Sequence, residues 1–261
     1  MAGDRVEASR GDAVLDRPRP DAERAELRAR DDTSLAGGKL RDSPGPRLPP
    51  MADDLPILDL GFARLDTERG LRQGVPEAVL AEGKRPDQVA AIVAGLVERG
   101  TETVIVTRAD EAARAAAQAA VDGLEEDAEA RMVWLRRGVP EALGTVAIVS
   151  AGTSDGSVVR EVQRTCELLG TNTTVQEDVG VAGLHRLAVA LPDLRAADCV
   201  VVAAGQDAAL ASVVGGLVAT PVIAVPTSVG YGVAEGGQVA LMSMLSSCAP
   251  VVDVDDRDAA A

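Results

Sequence analysis

The second half of the chain alternates between short apolar runs and helical segments, and this alternation constrains the fold more than any other feature. Strands are predicted at Val146 to Ser150, Asn172 to Val175, Cys199 to Ala203, Val222 to Val225 and Val251 to Val254. Helices are predicted between them, at about residues 157–169, 182–190, 208–217 and 238–247. Strands joined by helices cross over in the right-handed sense, so a three-layer α/β domain with a parallel sheet is expected.

The composition agrees with such a core and excludes one class of partner. Hydrophobic residues make up 46% of the 261 residues, yet the only aromatic ones are Phe62, Trp134 and Tyr231. The core must therefore be built from Val, Ala, Leu and Ile, as in parallel sheets covered by helices. A formal charge of -15 and the scarcity of aromatics argue against nucleic-acid binding, which needs clustered Lys and Arg and stacking platforms.

Cysteine and histidine usage argues against a metal centre or a disulfide framework. Cys166, Cys199 and Cys248 have no CxxC spacing, and His185 is the single histidine. The N-terminus lacks the apolar segment of a secretory signal, and the longest apolar stretch, residues 208–226, is interrupted by glycines and a proline. A cytoplasmic protein without membrane contact is expected.

Three regions are predicted along the chain. Residues 1–50 carry ten acidic and ten basic residues without apolar periodicity, which indicates a disordered leader. Residues 51–140 form a small α/β N-terminal domain, and residues 141–261 form the parallel-sheet domain. The N-terminal domain is predicted to contain helices at about 86–99 and 110–124 and strands at 103–107 and 130–135.

Ligands of parallel sheets lie at the carboxyl ends of the strands. The first loop of this kind offers Gly152, Thr153, Ser154 and Asp155 directly before a helix. Glycine permits close backbone approach, hydroxyls bond oxygen, and the helix N-terminus supplies N–H groups, so the loop suits a phosphate. An ordinary helix cap by Ser154 or Asp155 is the alternative.

The next loop contains Asp178, His185 and Arg186. These side chains can hold a phosphate or carboxylate, and the histidine can move protons near neutral pH. An exposed or structurally bonded histidine is the alternative interpretation.

Two further loops complete the predicted edge. Gly205 and Asp207 follow the third strand, where Asp207 is a candidate site residue and a helix cap is the alternative. Thr227, Ser228 and Tyr231 lie in a glycine-rich loop after the fourth strand, with a ligand-free turn as the alternative.

Cys248 ends the last predicted helix. A helix C-terminus disfavours a thiolate because the dipole there is negative, and a small buried hydrophobe is the plainer interpretation for all three cysteines. A nucleophilic Cys248 would need a neighbouring positive charge, such as His185 or a cationic substrate.

Several motifs resemble the LarB family of nickel-pincer cofactor biosynthesis proteins. The opening LDLGFARLDTERGLRQ of residues 58–73, Gly74-Val75-Pro76-Glu77 and Glu82-Gly83-Lys84 follow its pattern, as do residues 151–155, 178–186, 210–217 and the string VIAVPTSVGYG of residues 222–232. The similarity covers about residues 56–255. The second half is also similar to the purine-pathway carboxylases of the PurE type, which implies a PurE-like three-layer domain.

The resemblance implies a synthase that acts on nicotinic acid adenine dinucleotide. It would carboxylate the pyridinium ring and cleave the phosphoanhydride, giving pyridinium-3,5-biscarboxylic acid mononucleotide and AMP. The family's cysteine nucleophile corresponds to Cys248, its acidic residue to Asp207, and its phosphate seat to Ser154 and its neighbours. The family usually has glutamate at the position of Asp207, so this carboxylate is one methylene shorter.

The resemblance also implies partners and an assembly. Carbon dioxide or bicarbonate is the co-substrate, no tightly bound cofactor is expected, and Mg²⁺ is a candidate companion of the substrate. A homo-octamer is implied, with a sulfur-insertion and a nickel-insertion enzyme as pathway neighbours. Two alternatives stay open: a PurE-type aminoimidazole ribonucleotide carboxylase or mutase, which needs no cysteine, and a non-catalytic nucleotide-binding protein.

Overall fold

A computed structural model describes residues 57–253. The predicted disordered leader, residues 1–50, lies outside the described residues, as does Val254 at the end of the last predicted strand. A two-stranded hairpin and a four-stranded sheet lie before residue 140, and a five-stranded sheet lies after residue 144.

The N-terminal part combines a hairpin with a mixed sheet. Its strands are β1 (Ile57–Asp59), β2 (Arg64–Asp66), β3 (Ala78–Leu80), β4 (Thr103–Thr107), β5 (Glu125–Asp127) and β6 (Met132–Arg136). Its helices are α1 (Arg69–Gln73), α2 (Pro86–Glu98) and α3 (Glu111–Ala120). Strands β1 and β2 pair with each other, whereas the four-stranded sheet has the order β3-β4-β6-β5, with only β3 and β4 parallel.

The predicted apolar face of α2 is the one that packs. Val89, Ile92, Val93 and Leu96 are buried in a single cluster with β4 and α3. Helix α3 begins where the Asp110 carboxylate accepts a hydrogen bond of 2.7 Å from the N–H of Ala113. It ends at Ala120, four residues before the predicted end.

Strand β5 was not predicted, because its sequence Glu-Glu-Asp carries no apolar pattern. Its pairing with β6 makes it a strand: Glu125 lies opposite Trp134 and Asp127 opposite Met132. Residues 58–72 alternate only weakly in hydrophobicity, which is compatible with strand or loop; the structure forms the β1–β2 hairpin there, followed by the short helix α1.

The second part is the expected parallel α/β domain. Its strands are β7 (Thr145–Ser150), β8 (Asn172–Gln176), β9 (Cys199–Ala204), β10 (Val222–Pro226) and β11 (Val251–Asp253). Its helices are α4 (Gly156–Leu168), α5 (Leu184–Ala196), α6 (Ala209–Gly215) and α7 (Gln238–Leu245). All pairs are parallel, in the order β11-β10-β9-β7-β8.

The sheet has helices on both faces. On one face Val149, Val200 and Val202 pack against helices α5, α6 and α7. On the other face Ile148 and Val201 pack against α4. Helix α5 continues through Pro192 to Ala196, beyond its predicted end at residue 190.

The strand order reverses between β7 and β9, because β8 lies on one side of β7 and β9 to β11 lie on the other. At such a reversal the following helices leave toward opposite faces, which opens a crevice at the carboxyl ends of the strands. Between residues 57 and 253, no helix is long and apolar enough to cross a membrane.

Candidate functional site

A pocket of about 410 Å³ opens at the carboxyl ends of β7, β9 and β10. It lies at the reversal of strand order, where the sequence predicts a ligand. Three of the four predicted loops supply its walls: Ala151, Gly152, Ser154, Asp155, Gly205, Gln206, Val229, Gly230 and Tyr231.

The Asp155 carboxylate is buried at the base of the pocket and ties two loops together. It accepts a hydrogen bond of 2.7 Å from Thr227 Oγ1 and one of 3.0 Å from the N–H of Gly152. Burial raises the pKa of Asp155, while these two hydrogen bonds oppose the rise. Their mutual hydrogen bond holds the loop after β7 against the loop after β10. The substrate-binding roles expected of Asp155 and Thr227 stay a prediction.

Ser150 anchors the same loop from below, and sequence reasoning did not single it out. Its buried hydroxyl donates to the carbonyl of Gly152 at 3.1 Å and accepts from the N–H of Asp178 at 3.4 Å. A hydroxyl that ends an otherwise apolar buried strand is the signal that could have identified it.

Two glycines permit the loops to meet. A methyl group on Gly205 would overlap the carbonyl of Val229 and lie 2.7 Å from Thr227 Oγ1. A methyl group on Gly230 would overlap the carbonyl of Ala234. At both positions the glycine therefore allows close approach of the protein's own backbone.

Gln206 is a pocket residue that the prediction passed over. Its backbone is left-handed (φ 54°), its N–H donates to Val229 at 2.8 Å, and its Oε1 accepts from the N–H of Tyr231 at 3.3 Å. These bonds leave the Tyr231 ring on the rim of the pocket, 79% exposed. An exposed aromatic ring beside a pocket is available to stack on a flat ligand.

The loop after β8 borders the pocket without lining it. Arg186 forms an ion pair with Asp178 at 2.5 Å, and both side chains remain partly exposed. The N–H of Gly180 bonds to the carbonyl of Ala151, which fixes this loop against the pocket wall. His185 is exposed at the start of α5, one residue before Arg186.

The remaining predicted residues of the pocket edge differ in exposure. Asp207 is exposed, and its carboxylate accepts a hydrogen bond of 3.2 Å from the N–H of Ala209, the first residue of α6. Thr153 is exposed in the turn before α4, and Ser228 is half-buried beside Thr227. None of these three lines the pocket.

Cys248 lies toward the amino end of the five-stranded sheet, away from the pocket. Val251, three residues further on, pairs with Val222 at the start of β10, whereas the pocket follows the end of β10. Ala249 packs on Gly215, the last residue of α6, whereas the pocket lies before the first residue of that helix. Within one chain the structure therefore does not bring Cys248 to Asp207 and His185.

The three cysteines differ in environment. Cys248 is exposed, which removes the buried-hydrophobe alternative for this residue. Cys166 and Cys199 are half-buried, and burial raises the pKa of each thiol. In the described part of the chain, no group of three or more His, Cys, Asp or Glu side chains could hold a metal ion.

The fold and pocket define a class. A five-stranded parallel sheet with a small glycine-lined pocket at its reversal of strand order is typical of α/β domains that bind small phosphorylated ligands. Comparison with known families narrows this class. Residues 57–138 match the model of the LarB/PurE-like N-terminal domain, and residues 145–261 match the AIR carboxylase model.

The chain therefore belongs to the LarB-type PurE-like proteins, as the motifs predicted. A relative from Methanocaldococcus jannaschii, named only as an uncharacterized protein, is 34% identical over 205 residues. The match covers 74% of this chain and 78% of the relative. The two matched domains support a carboxylase-type enzyme.

Proposed function

We propose that the protein carboxylates the pyridinium ring of nicotinic acid adenine dinucleotide and cleaves its phosphoanhydride. The products are pyridinium-3,5-biscarboxylic acid mononucleotide and AMP, and the co-substrate is carbon dioxide or bicarbonate. The observation that carries this proposal is the joint presence of the LarB/PurE-like N-terminal domain and the AIR carboxylase domain in one chain.

The chemistry starts with the thiolate of Cys248. A pyridinium ring is electrophilic para to its nitrogen, and addition of the thiolate there gives a dihydropyridine. This enamine is nucleophilic at the meta carbon and attacks carbon dioxide, forming the new carbon–carbon bond. Loss of the ring proton and departure of the thiolate then restore the aromatic ring, and water cleaves the phosphoanhydride. The cation of the ring itself stabilises a thiolate next to it.

The pocket and the loops that border it supply groups for the phosphates and the ring. Thr153 and Ser154 present hydroxyls and N–H groups before α4, which favours an anion, and Gly152 leaves room for it to approach. Arg186, paired with Asp178, is a cation at the same edge. The rim position of Tyr231 suits stacking on the pyridine or adenine ring. Asp207 and His185 are proposed for proton transfer and hydrolysis.

The position of Cys248 makes a second copy of the chain part of the proposal. Strand β10 alone is five residues long, roughly 13 Å, and it separates the level of Val251 from the pocket. A Cys248 that reacts in this pocket therefore comes from another copy, in keeping with the homo-octamer that the resemblance implies. Mg²⁺ enters the proposal only as a counter-ion of the diphosphate.

The proposed product would be consumed by sulfur-insertion and nickel-insertion enzymes. These are pathway neighbours and not proposed contacts. The cytoplasmic location expected from the sequence stays a prediction.

Mass spectrometry of a reaction with nicotinic acid adenine dinucleotide and bicarbonate tests the proposal. Wild type should yield the carboxylated mononucleotide and AMP in equal amounts, whereas Cys248→Ala should yield neither. Cys166→Ala is the matched control, because it removes a half-buried thiol and should retain product formation. Absence of product from the folded wild type would overturn the proposal.

The AIR carboxylase match also favours a second candidate, a PurE-type carboxylase or mutase acting on aminoimidazole ribonucleotide. That reaction needs no cysteine, so its carboxylated product should form equally with Cys248→Ala. Binding of AMP with no turnover of either substrate would favour the non-catalytic nucleotide-binding alternative.

A further inference from the structure

Helix α4 carries one stripe of residues that faces the N-terminal domain. Gly156, Arg160, Arg164 and Leu168 follow one another at intervals of four residues, which places them on one side of the helix. The helix begins directly after Asp155, which lines the pocket. Contacts that fix these four residues therefore also fix the pocket wall that precedes the helix.

The far end of the stripe packs in an apolar cluster shared by the two domains. Leu168 is buried with Ile105, Met132 and Trp134. Arg164 extends this contact, because its guanidinium lies 5.8 Å from the centre of the Trp134 ring. The only tryptophan of the chain thus packs against α4.

Arg164 also forms the central ionic contact. Its Nε donates to Asp127 Oδ2 at 2.9 Å, and its Nη1 donates to Glu167 Oε2 at 2.9 Å. The Asp127 carboxylate belongs to β5 in the N-terminal domain and is 16% exposed. A charged hydrogen bond between partly buried groups is stronger than an exposed ion pair.

Asp127 has a second task in the same contact. Its Oδ1 accepts hydrogen bonds of 3.1 Å from the N–H groups of Glu129 and Ala130, which closes the turn between β5 and β6. Burial alone would raise the pKa of Asp127, but the hydrogen bonds from Ala130 and Arg164 outweigh it and hold this pKa below its usual range. One carboxylate thus shapes the turn and binds α4.

The turn between β5 and β6 places Glu129 beside the first turn of α4, next to the pocket. Glu129 Oε2 lies 3.5 Å from Arg160 Nε. Its Oε1 lies 3.5 Å from the point that a methyl group on Gly156 would occupy. The N-terminal domain therefore reaches α4 at its first turn, one residue from the pocket loop.

We propose that Arg164 and Asp127 are positioning residues through which the N-terminal domain fixes the first turn of α4 and thereby the pocket loop of Gly152 to Asp155. The proposal concerns the pocket of the proposed function and adds a task for the N-terminal domain. Its first test requires no substrate, so the two proposals can fail separately.

Hydrogen–deuterium exchange on the full-length protein provides that test. Arg164→Ala should make amide exchange across residues 152–161 about tenfold faster, because the turn that carries Glu129 loses its tie to the helix. Arg136→Ala is the matched control: its Nη1 donates to the carbonyl of Glu167 at 3.1 Å, so it removes a contact between the same domains at the far end of α4. The control should leave residues 152–161 unchanged.

Two further variants keep the test decisive. Arg164→Lys retains the charge but not the two-pronged geometry and should give an intermediate effect. If Arg164→Ala accelerates exchange throughout the sheet, the variant is destabilised as a whole, and exchange is measured in Asp127→Asn instead. That variant keeps an oxygen for the turn and removes the charge that meets Arg164. Acceleration confined to residues 163–169, or equal acceleration in Arg136→Ala, would overturn the proposal.

Steady-state kinetics add a second measurement, the KM for the dinucleotide, which a contact that only stabilises the fold would leave unchanged. For the reaction proposed above, Arg164→Ala should raise KM for the dinucleotide about fivefold with a smaller change in kcat, because binding depends on the placement of the loop. Faster exchange in a protein that does not turn over the dinucleotide would retain the positioning proposal and reject the proposed substrate. Turnover by wild type with an unchanged KM in Arg164→Ala would reject the positioning proposal alone.

Discussion

The two ends of the five-stranded sheet are built differently. At the carboxyl end, loops from distant parts of the chain are locked by buried hydrogen bonds, such as the one from Thr227 to Asp155, and by glycines that touch backbone. At the amino end, the segment around Cys248 is exposed. The pocket and the exposed thiol therefore lie at opposite ends of the sheet, and the proposed reaction needs a second copy of the chain to bring them together.

Subunit mixing tests whether the pocket of one copy reacts with the thiol of another. Ser154→Trp fills the pocket from an exposed lining position, and Cys248→Ala removes the thiol, so each variant alone should lose product formation by about a thousandfold or more. Mixed by denaturation and joint refolding, the two should recover part of the wild-type activity, because some sites combine an intact pocket with an intact thiol.

The control is each variant refolded alone, and the readout is the carboxylated product by mass spectrometry. If the mixture forms as little product as the separate variants while mixed oligomers are present, Cys248 does not act on the pocket of another copy.

Gly205→Ala should be the most destabilising of the pocket substitutions. Its methyl group would overlap the carbonyl of Val229 and displace the loop after β10, with a loss of about 3 kcal/mol in the free energy of unfolding. Gly216→Ala is the matched control, because its methyl group would meet only ordinary contacts at 3.6 Å. Urea denaturation should show a change within about 0.5 kcal/mol for the control. Equal effects would mean that the carboxyl end is less tightly built than its contacts indicate.

The parallel domain was readable from sequence because its signals are local. Short β-branched strands and amphipathic helices gave the element order and the parallel topology, and the rule for carboxyl ends then gave the location of the pocket. Strand β4 of the N-terminal part matches its prediction from Thr103 to Thr107 for the same reason. Elements defined by pairing rather than pattern, such as the charged β5, were missed.

The tasks of individual side chains were less predictable because they depend on distant partners. Asp155 and Thr227 are separated by 72 positions, and nothing in either loop shows that they bond to each other. Gln206 gave no chemical signal, and its place in the pocket follows from a left-handed backbone. The position of Cys248 depends on where β11 pairs, which motif spacing does not show.

The buried carboxylate of Asp155 and the partly buried carboxylate of Asp127 should give opposite pH dependences of stability. The pKa of Asp155 is raised by burial, so its folded form retains a proton that the unfolded chain loses. As pH rises above the ordinary aspartate pKa of about 3.9, wild type should therefore lose stability relative to Asp155→Asn.

Asp127 is the matched control with the opposite sign. Its pKa is lowered, so its stabilisation is present above the unfolded pKa and is lost as pH falls through the folded one. The stability of wild type relative to Asp127→Asn should rise with pH over the acid range. Denaturant unfolding measured from pH 3 to pH 7 checks both signs, and the same slope for the two variants would contradict these assignments.

Thiol labelling examines the amino end of the sheet alone. Cys248 should react with a small disulfide reagent at least about ten times faster than the other two thiols, because Cys166 and Cys199 are half-buried and burial raises the pKa of both. Cys248→Ala should remove the fast phase and change the free energy of unfolding by less than about 0.5 kcal/mol, since an exposed side chain contributes little to packing. A larger loss of stability would show that Cys248 is held by contacts which one chain does not contain, and the amino end would then be as tightly built as the pocket. A fast phase that persists in the variant would show instead that Cys166 or Cys199 reacts as fast as Cys248.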